Sequence, residues 1–163
     1  MNHVFAACLC ALIFLSGAGP SIGAGSSRPT YPPAQISAVD APTAVGGQLN
    51  VQRVAAGRPP LRQSETLNRV AKKHARDMSR RGYFSHTSPN GRQVSHRLKS
   101  GGYRYCWAGE NIAQGQGDAE AVIRAWMKSP VHKKIMLHRK PTQYGIALAP
   151  NRTWVLVVAR PGC

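Results

Sequence analysis

The chain has 163 residues, of which 22 are Lys or Arg and only six are Asp or Glu, for a formal charge of +16 at pH 7. About 120 ordered residues suffice for one hydrophobic core and exclude a second of similar size. The charge points to polyanionic partners such as anionic lipid headgroups or acidic envelope polymers, but the cations are scattered in pairs such as Lys72-Lys73, Arg80-Arg81 and Lys133-Lys134, so a solvated basic surface is expected and nucleic acid is not.

Residues 1–24 contain no Lys, Arg, Asp or Glu, and Val4 to Leu15 form an apolar run of about twelve residues. The run is too short to span a bilayer and fits the h-region of a secretory signal peptide. Small residues place cleavage after Ala18 or Ala24, with Ala24 preferred because Pro20 crowds the earlier point. The expected mature protein is secreted or periplasmic, monomeric, and without a transmembrane helix.

Loss of the leader removes Cys8 and Cys10, leaving Cys106 and Cys163. In an oxidising compartment one disulfide is the economical reading. It would pin the C-terminal end and contribute about 3 to 5 kcal/mol in the chain-entropy picture. The same pairing leaves no thiol for nucleophilic catalysis, and no G-x-S-x-G elbow is present.

Residues 25–43 are rich in Ser, Pro, Gly and Ala and read as a flexible spacer, so the folded domain is expected over 44–163. Thr43 to Ala56 reads as a helix closed by Gly57 and Pro59-Pro60, weakened by Gly46 and Gly47. A stronger helix follows, with Ser64 as N-cap, Glu65 in the first turn, Arg80-Arg81 in the last and Gly82 as C-cap. His74 falls on its apolar stripe of Leu67, Val70, Ala71, Ala75 and Met78, which predicts a buried histidine with one satisfied hydrogen bond.

Ser88-Pro89-Asn90-Gly91 predicts a turn, and a short helix runs through Leu98 to Gly101-Gly102. Asp118 opens another helix, with Ala119, Val122, Ile123 and Trp126 inside and Glu120 paired with Arg124 outside. A helical turn from Pro130 through Leu137 comes next. Tyr144 to Ala149 and Thr153 to Ala159 then form an antiparallel hairpin around Pro150-Asn151-Arg152. In the second run Trp154, Leu156 and Val158 face one way and Val155 and Val157 the other, so helices should cover both faces. The fold class expected is α+β, a three-layer α/β/α sandwich with a small antiparallel sheet.

Three segments combine an ionisable residue with turn-forming or cleft-forming surroundings: Tyr83-Phe84-Ser85-His86, Gly109-Glu110-Asn111-Ile112 and Ser129-Pro130-Val131-His132. Glu110 is one of only six acids and sits in an apolar stretch, where it requires cationic or hydrogen-bonding partners. Two imidazoles and a carboxylate could bind a divalent metal such as zinc, act as acid and base, or hold loops by hydrogen bonds. Their spacing matches no compact ligand motif such as H-E-x-x-H.

These segments belong to an ordered set. Leu49-Asn50-x-x-Arg53, Ala71-x-x-His74-Ala75-x-Asp77-Met78, Tyr83-Phe84-Ser85-His86, Ser88-Pro89-Asn90-Gly91, Gly102-Tyr103, Gly109-Glu110-Asn111-Ile112, Trp126-x-x-Ser129-Pro130-x-His132 and Tyr144-Gly145-Ile146 together resemble the bacterial, SCP-domain type of the CAP superfamily (cysteine-rich secretory, antigen 5, pathogenesis-related). The resemblance covers roughly residues 44 to 160 and implies the same three-layer sandwich. It also implies a cleft with two histidines and two acids, which in some animal members binds a divalent metal.

His86 and Glu110 match the first histidine and the Gly-Glu-Asn acid, and His132, in the Ser-Pro-x-His segment, corresponds approximately to the second histidine. Ser129 stands where a second acid would be expected, Val131 where glycine is common, and no Gly-His-Phe-Thr segment is present. The leading expectation is an extracytoplasmic module binding a lipid, amphiphile or envelope component at His86, Glu110 and His132. The alternatives are a hydrolase with metal on His86 and His132 and Glu110 as ligand or base, and a basic surface that binds acidic polymers. Whether the protein is an enzyme is left open by the residues.

Overall fold

In the computed structural model the described residues are 40–162, so the leader over 1–24, most of the spacer over 25–43 and Cys163 lie outside them. The elements in chain order are α1 (Asp40–Ala55), β1 (Arg62–Gln63), α2 (Glu65–Arg81), α3 (Val94–Ser100), β2 (Tyr105–Gln114), α4 (Ala119–Lys128), α5 (Pro130–Met136), β3 (Gln143–Ala149) and β4 (Thr153–Pro161). Among the described residues, no helix is long and apolar enough to cross a membrane.

The strand order is β1-β3-β4-β2, with β1 parallel to β3 and both other pairings antiparallel. β4 has buried residues on both faces, as its pattern requires. Trp154, Leu156 and Val158 pack with Val45 and Leu49 of α1, Val122 and Trp126 of α4, and Met136 of α5. Val155, Val157 and Ala159 pack on the other side with Leu67, Val70 and Met78 of α2 and Leu98 of α3. Burying apolar surface on both faces, at about 25 cal/mol per Å², stabilises a helix–sheet–helix sandwich.

The caps follow the local chemistry. Ser64 Oγ accepts from the Leu67 N–H at 3.4 Å, and Gly82 closes α2 in the left-handed region at φ 66°. Asp118 accepts from the Ala121 N–H at 2.7 Å to start α4. Pro130 begins α5, where the missing N–H costs nothing. The β3–β4 turn places Arg152, a non-glycine, at φ 58°.

Two elements differ from the sequence expectation. Helix α1 begins at Asp40 and takes in residues expected in the spacer; Pro42 is tolerated in a first turn, and Ala41 is buried in the core. Strand β2 has no counterpart in the sequence reading, because Gly109-Glu110-Asn111 interrupts any simple apolar alternation. Its register against β4 pairs Glu110 with Val157 and Asn111 with Leu156.

Close approaches explain two glycines. A Cβ on Gly145 would lie 2.2 Å from the Leu67 carbonyl carbon, so α2 packs on β3 backbone to backbone. A Cβ on Gly46 would lie 2.0 Å from the Tyr144 hydroxyl, which accounts for a glycine inside α1.

Candidate functional site

The site grows from the alternation of β2. Neighbouring residues of a strand point to opposite faces, so Glu110, opposite Val157, meets the α2–α3 layer, while Asn111, opposite Leu156, meets the layer of α1, α4 and α5. Two consecutive polar residues thereby tie the edge strand to both helix layers.

The Glu110 side chain is 2% exposed, and both its oxygens are engaged. Arg97 Nη2 donates to Oε1 at 2.9 Å and to Oε2 at 2.8 Å. His86 Nδ1 lies 2.9 Å from Oε1, and the same Arg97 nitrogen reaches the His86 carbonyl at 3.0 Å. Arg97 therefore fixes both the carboxylate and the loop that carries the histidine. The guanidinium meets the demand a buried carboxylate makes for a cation.

His132 arrives from α5. Its carbonyl accepts from Asn111 Nδ2 at 3.1 Å, so the residue after Glu110 positions it. Partial burial, and secondarily the charge of His86, hold the His132 imidazole below its ordinary pKa. His86 thus sits on the carboxylate, and its charge reaches the His132 imidazole, which Asn111 anchors through the backbone.

His74 lies against the same acid from α2, with Nε2 3.7 Å from Glu110 Oε1. It is buried as its position on the stripe predicts, with the Ser85 backbone beside it favouring the proton, although neither ring nitrogen has a partner at full hydrogen-bond geometry among the described residues. Its contacts are the carboxylate and the tilted ring of Tyr83, 6.3 Å away between centroids. Burial lowers its pKa, outweighing the Glu110 carboxylate that favours the proton.

Sequence reasoning missed Arg97 and the positioning role of Asn111. Arg97 is one of many cations in the chain, and nothing in its spacing from Glu110 singles it out; the signal available was the carboxylate's own need for a partner.

The arrangement does not fit a metal centre of the expected kind. Among the described residues, no group of three His, Cys, Asp or Glu side chains has the spacing to hold an ion. Glu110 meets a guanidinium on both oxygens, and a cation there would have to displace Arg97. Ser129, in the place of a second acid, makes no side-chain cap bond.

The family model of the cysteine-rich secretory proteins matches residues 47–159. The chain belongs to the CAP family. This CAP domain is 35% identical over 127 residues to the Bacillus subtilis protein YkwD, covering 78% of the chain and 49% of that relative. It is 34% identical over 99 residues to the B. subtilis membrane protein YlbC, covering 61% and 29%. The chain thus spans about half or less of the curated relatives it matches.

An extracellular SCP-domain protein from Bacillus anthracis superposes with a TM-score of 0.70 at 29% identity, over 72% of the chain and 39% of that structure. An outer surface protein from Borrelia burgdorferi shares the fold at TM-score 0.67 and 19% identity, over 74% and 92%.

Proposed function

We propose that this CAP domain is an extracytoplasmic binding module, holding a lipid, amphiphile or envelope component at the His86–Glu110–His132 cleft. The observation that carries the reading is the setting of the two histidines. Phe84, two residues before His86, is 47% exposed, and Val131, immediately before His132, is 69% exposed. Two large apolar side chains left in water, each within two residues of one of the histidines, suit a ligand with a polar head and an apolar body. The B. anthracis relative is described as extracellular, which agrees with the leader expected over 1–24.

The hydrolase reading asks Glu110 to bind a metal or take a proton from water. Arg97 already neutralises that carboxylate, and among the described residues no three His, Cys, Asp or Glu have the spacing to hold an ion, which supports binding over hydrolysis. The expected Cys106–Cys163 disulfide is part of the same proposal. Pairing of Tyr105 with Pro161 carries Cys106 to the C-terminal end of β4, and intact mass without reductant should be lower by two hydrogens than after reduction.

The test is binding of a fluorescent long-chain fatty acid, with native mass spectrometry for lipid that co-purifies. Exchanging Phe84 and Val131 for Ser removes apolar contacts worth about 1.5 to 3 kcal/mol per fully covered side chain, so affinity should fall at least tenfold while the melting temperature holds. An unliganded native spectrum with no fatty-acid binding, or equal binding by the double variant, would overturn the proposal.

A further inference from the structure

A second feature lies on the other side of Arg97. A cavity of about 580 Å³ opens along α2 and the segment leading into α3, and neither His86, Glu110 nor His132 lines it. Its lining is cationic because of the helix sequence. Arg69, Lys73, Arg76 and Arg80 follow one another at spacings of four, three and four residues, which places them on one ridge of α2. Arg92 and Arg97 add two guanidiniums.

The charges are largely uncompensated. Asp77 is the one acid among the described residues of the lining; it takes the Tyr83 hydroxyl and lies 3.8 Å from Arg81. Lys73, Arg76 and Arg80 make no ion pair among the described residues. Like charges three and four apart along a helix weaken it, so the ridge opposes folding unless an anion covers it.

A buried group in the wall points the same way. Arg97, with a side chain 9% exposed, leaves its Nε without a hydrogen-bond partner among the described residues, and it lines the cavity. An unmet N–H in a cation-lined cavity asks for an oxygen ligand.

We infer that this cavity binds a ligand carrying two or more closely spaced phosphate groups. Guanidinium forks match phosphate oxygens two at a time. Two or more phosphates in one ligand bring at least two negative charges, against one for a carboxylate, which suits a small volume lined by Arg69, Lys73, Arg76, Arg80 and Arg92, none of them in an ion pair among the described residues. Such groups occur in free oligophosphates and in diphosphate lipid headgroups. The cavity shares Arg97 and His74 with the Glu110 cluster, but its ligand and its variants differ, so the two readings can fail separately.

Inorganic tripolyphosphate, titrated calorimetrically into the full chain, is the direct probe. Replacing Arg76 and Arg80 with Ala, which keeps helix propensity and touches exposed side chains, should weaken binding at least tenfold. The control exchanges Lys128 and Arg104 for Ala; it removes the same charge from residues outside the cavity and should change affinity less than threefold. A parallel arm measures sedimentation with phosphatidylcholine vesicles containing cardiolipin. Dependence on Arg76 and Arg80 there assigns the phosphates to a lipid headgroup, and in the tripolyphosphate arm alone to a free ligand. Equal weakening in the control, no binding of either probe, or equally tight binding of a sulfated polymer would overturn the inference.

Discussion

Exchange of Arg97 for Ala is the most searching perturbation of the cleft. It removes two contacts of 2.8 and 2.9 Å to a carboxylate that is 2% exposed, together with the bond to the His86 carbonyl. Among the described residues, His86, with a side chain 53% exposed, is then the one side chain left at hydrogen-bond distance from Glu110. Removing one member of a buried pair costs about 3 to 5 kcal/mol, because the other charge stays desolvated. Against a total stability of about 5 to 15 kcal/mol, that is a large fraction, and the melting temperature should fall by roughly 10 to 20 °C. Urea unfolding followed by tryptophan fluorescence at pH 7 measures it. Combining Arg97→Leu with Glu110→Gln removes both charges and should recover most of the loss. A single-variant loss below about 1 kcal/mol, or purely additive effects in the double variant, would refute a buried, mutually dependent pair.

Other consequences can be checked separately. Gly145→Ala drives a methyl into the Leu67 and Asn68 backbone and should cost at least about 1 to 3 kcal/mol by overpacking, read as a lower urea midpoint. Arg152→Gly relieves a left-handed residue at φ 58° and should raise the midpoint, by up to about 1 kcal/mol. His74 has a folded pKa below its unfolded value of about 6.5, so the unfolded chain takes up the proton first. Stability is full above that value and falls as pH drops below it, and His74→Leu should flatten the loss between pH 7.5 and 5.5 measured by urea midpoints. An unchanged pH slope would count against it. His132 contributes in the same direction, so the slope should shrink without vanishing.

Much of the architecture was legible because its signals are local. Ser64 and Gly82 cap α2, Asp118 starts α4, and the two-faced pattern of Trp154 to Val158 requires helices on both sides. β2 was illegible because its central residues serve other ends. Gly109 admits Ile135 and Trp107 where a Cβ would be crowded, Glu110 takes Arg97, and Asn111 holds α5. The start of α1 is hidden in the sequence because Asp40-Ala41-Pro42 has loop composition, and tertiary burial of Ala41 decides the outcome. His86 and Glu110, from separate motifs, meet at 2.9 Å, whereas Arg97 became visible only once α3 was laid against β2. Pairing at a distance along the chain is a property of topology, and periodicity carries no record of it.

Strand β4 bonds to β3 on one side and β2 on the other, and its alternate residues enter both cores. Every other described element precedes it in the chain. Neither half of the interior can therefore close while residues 153–161 are still to come, and loop closure over such separations is slow. A domain ordered this way stays open and threadable until residues 153–161 slide into the middle of the sheet, and then locks as a unit.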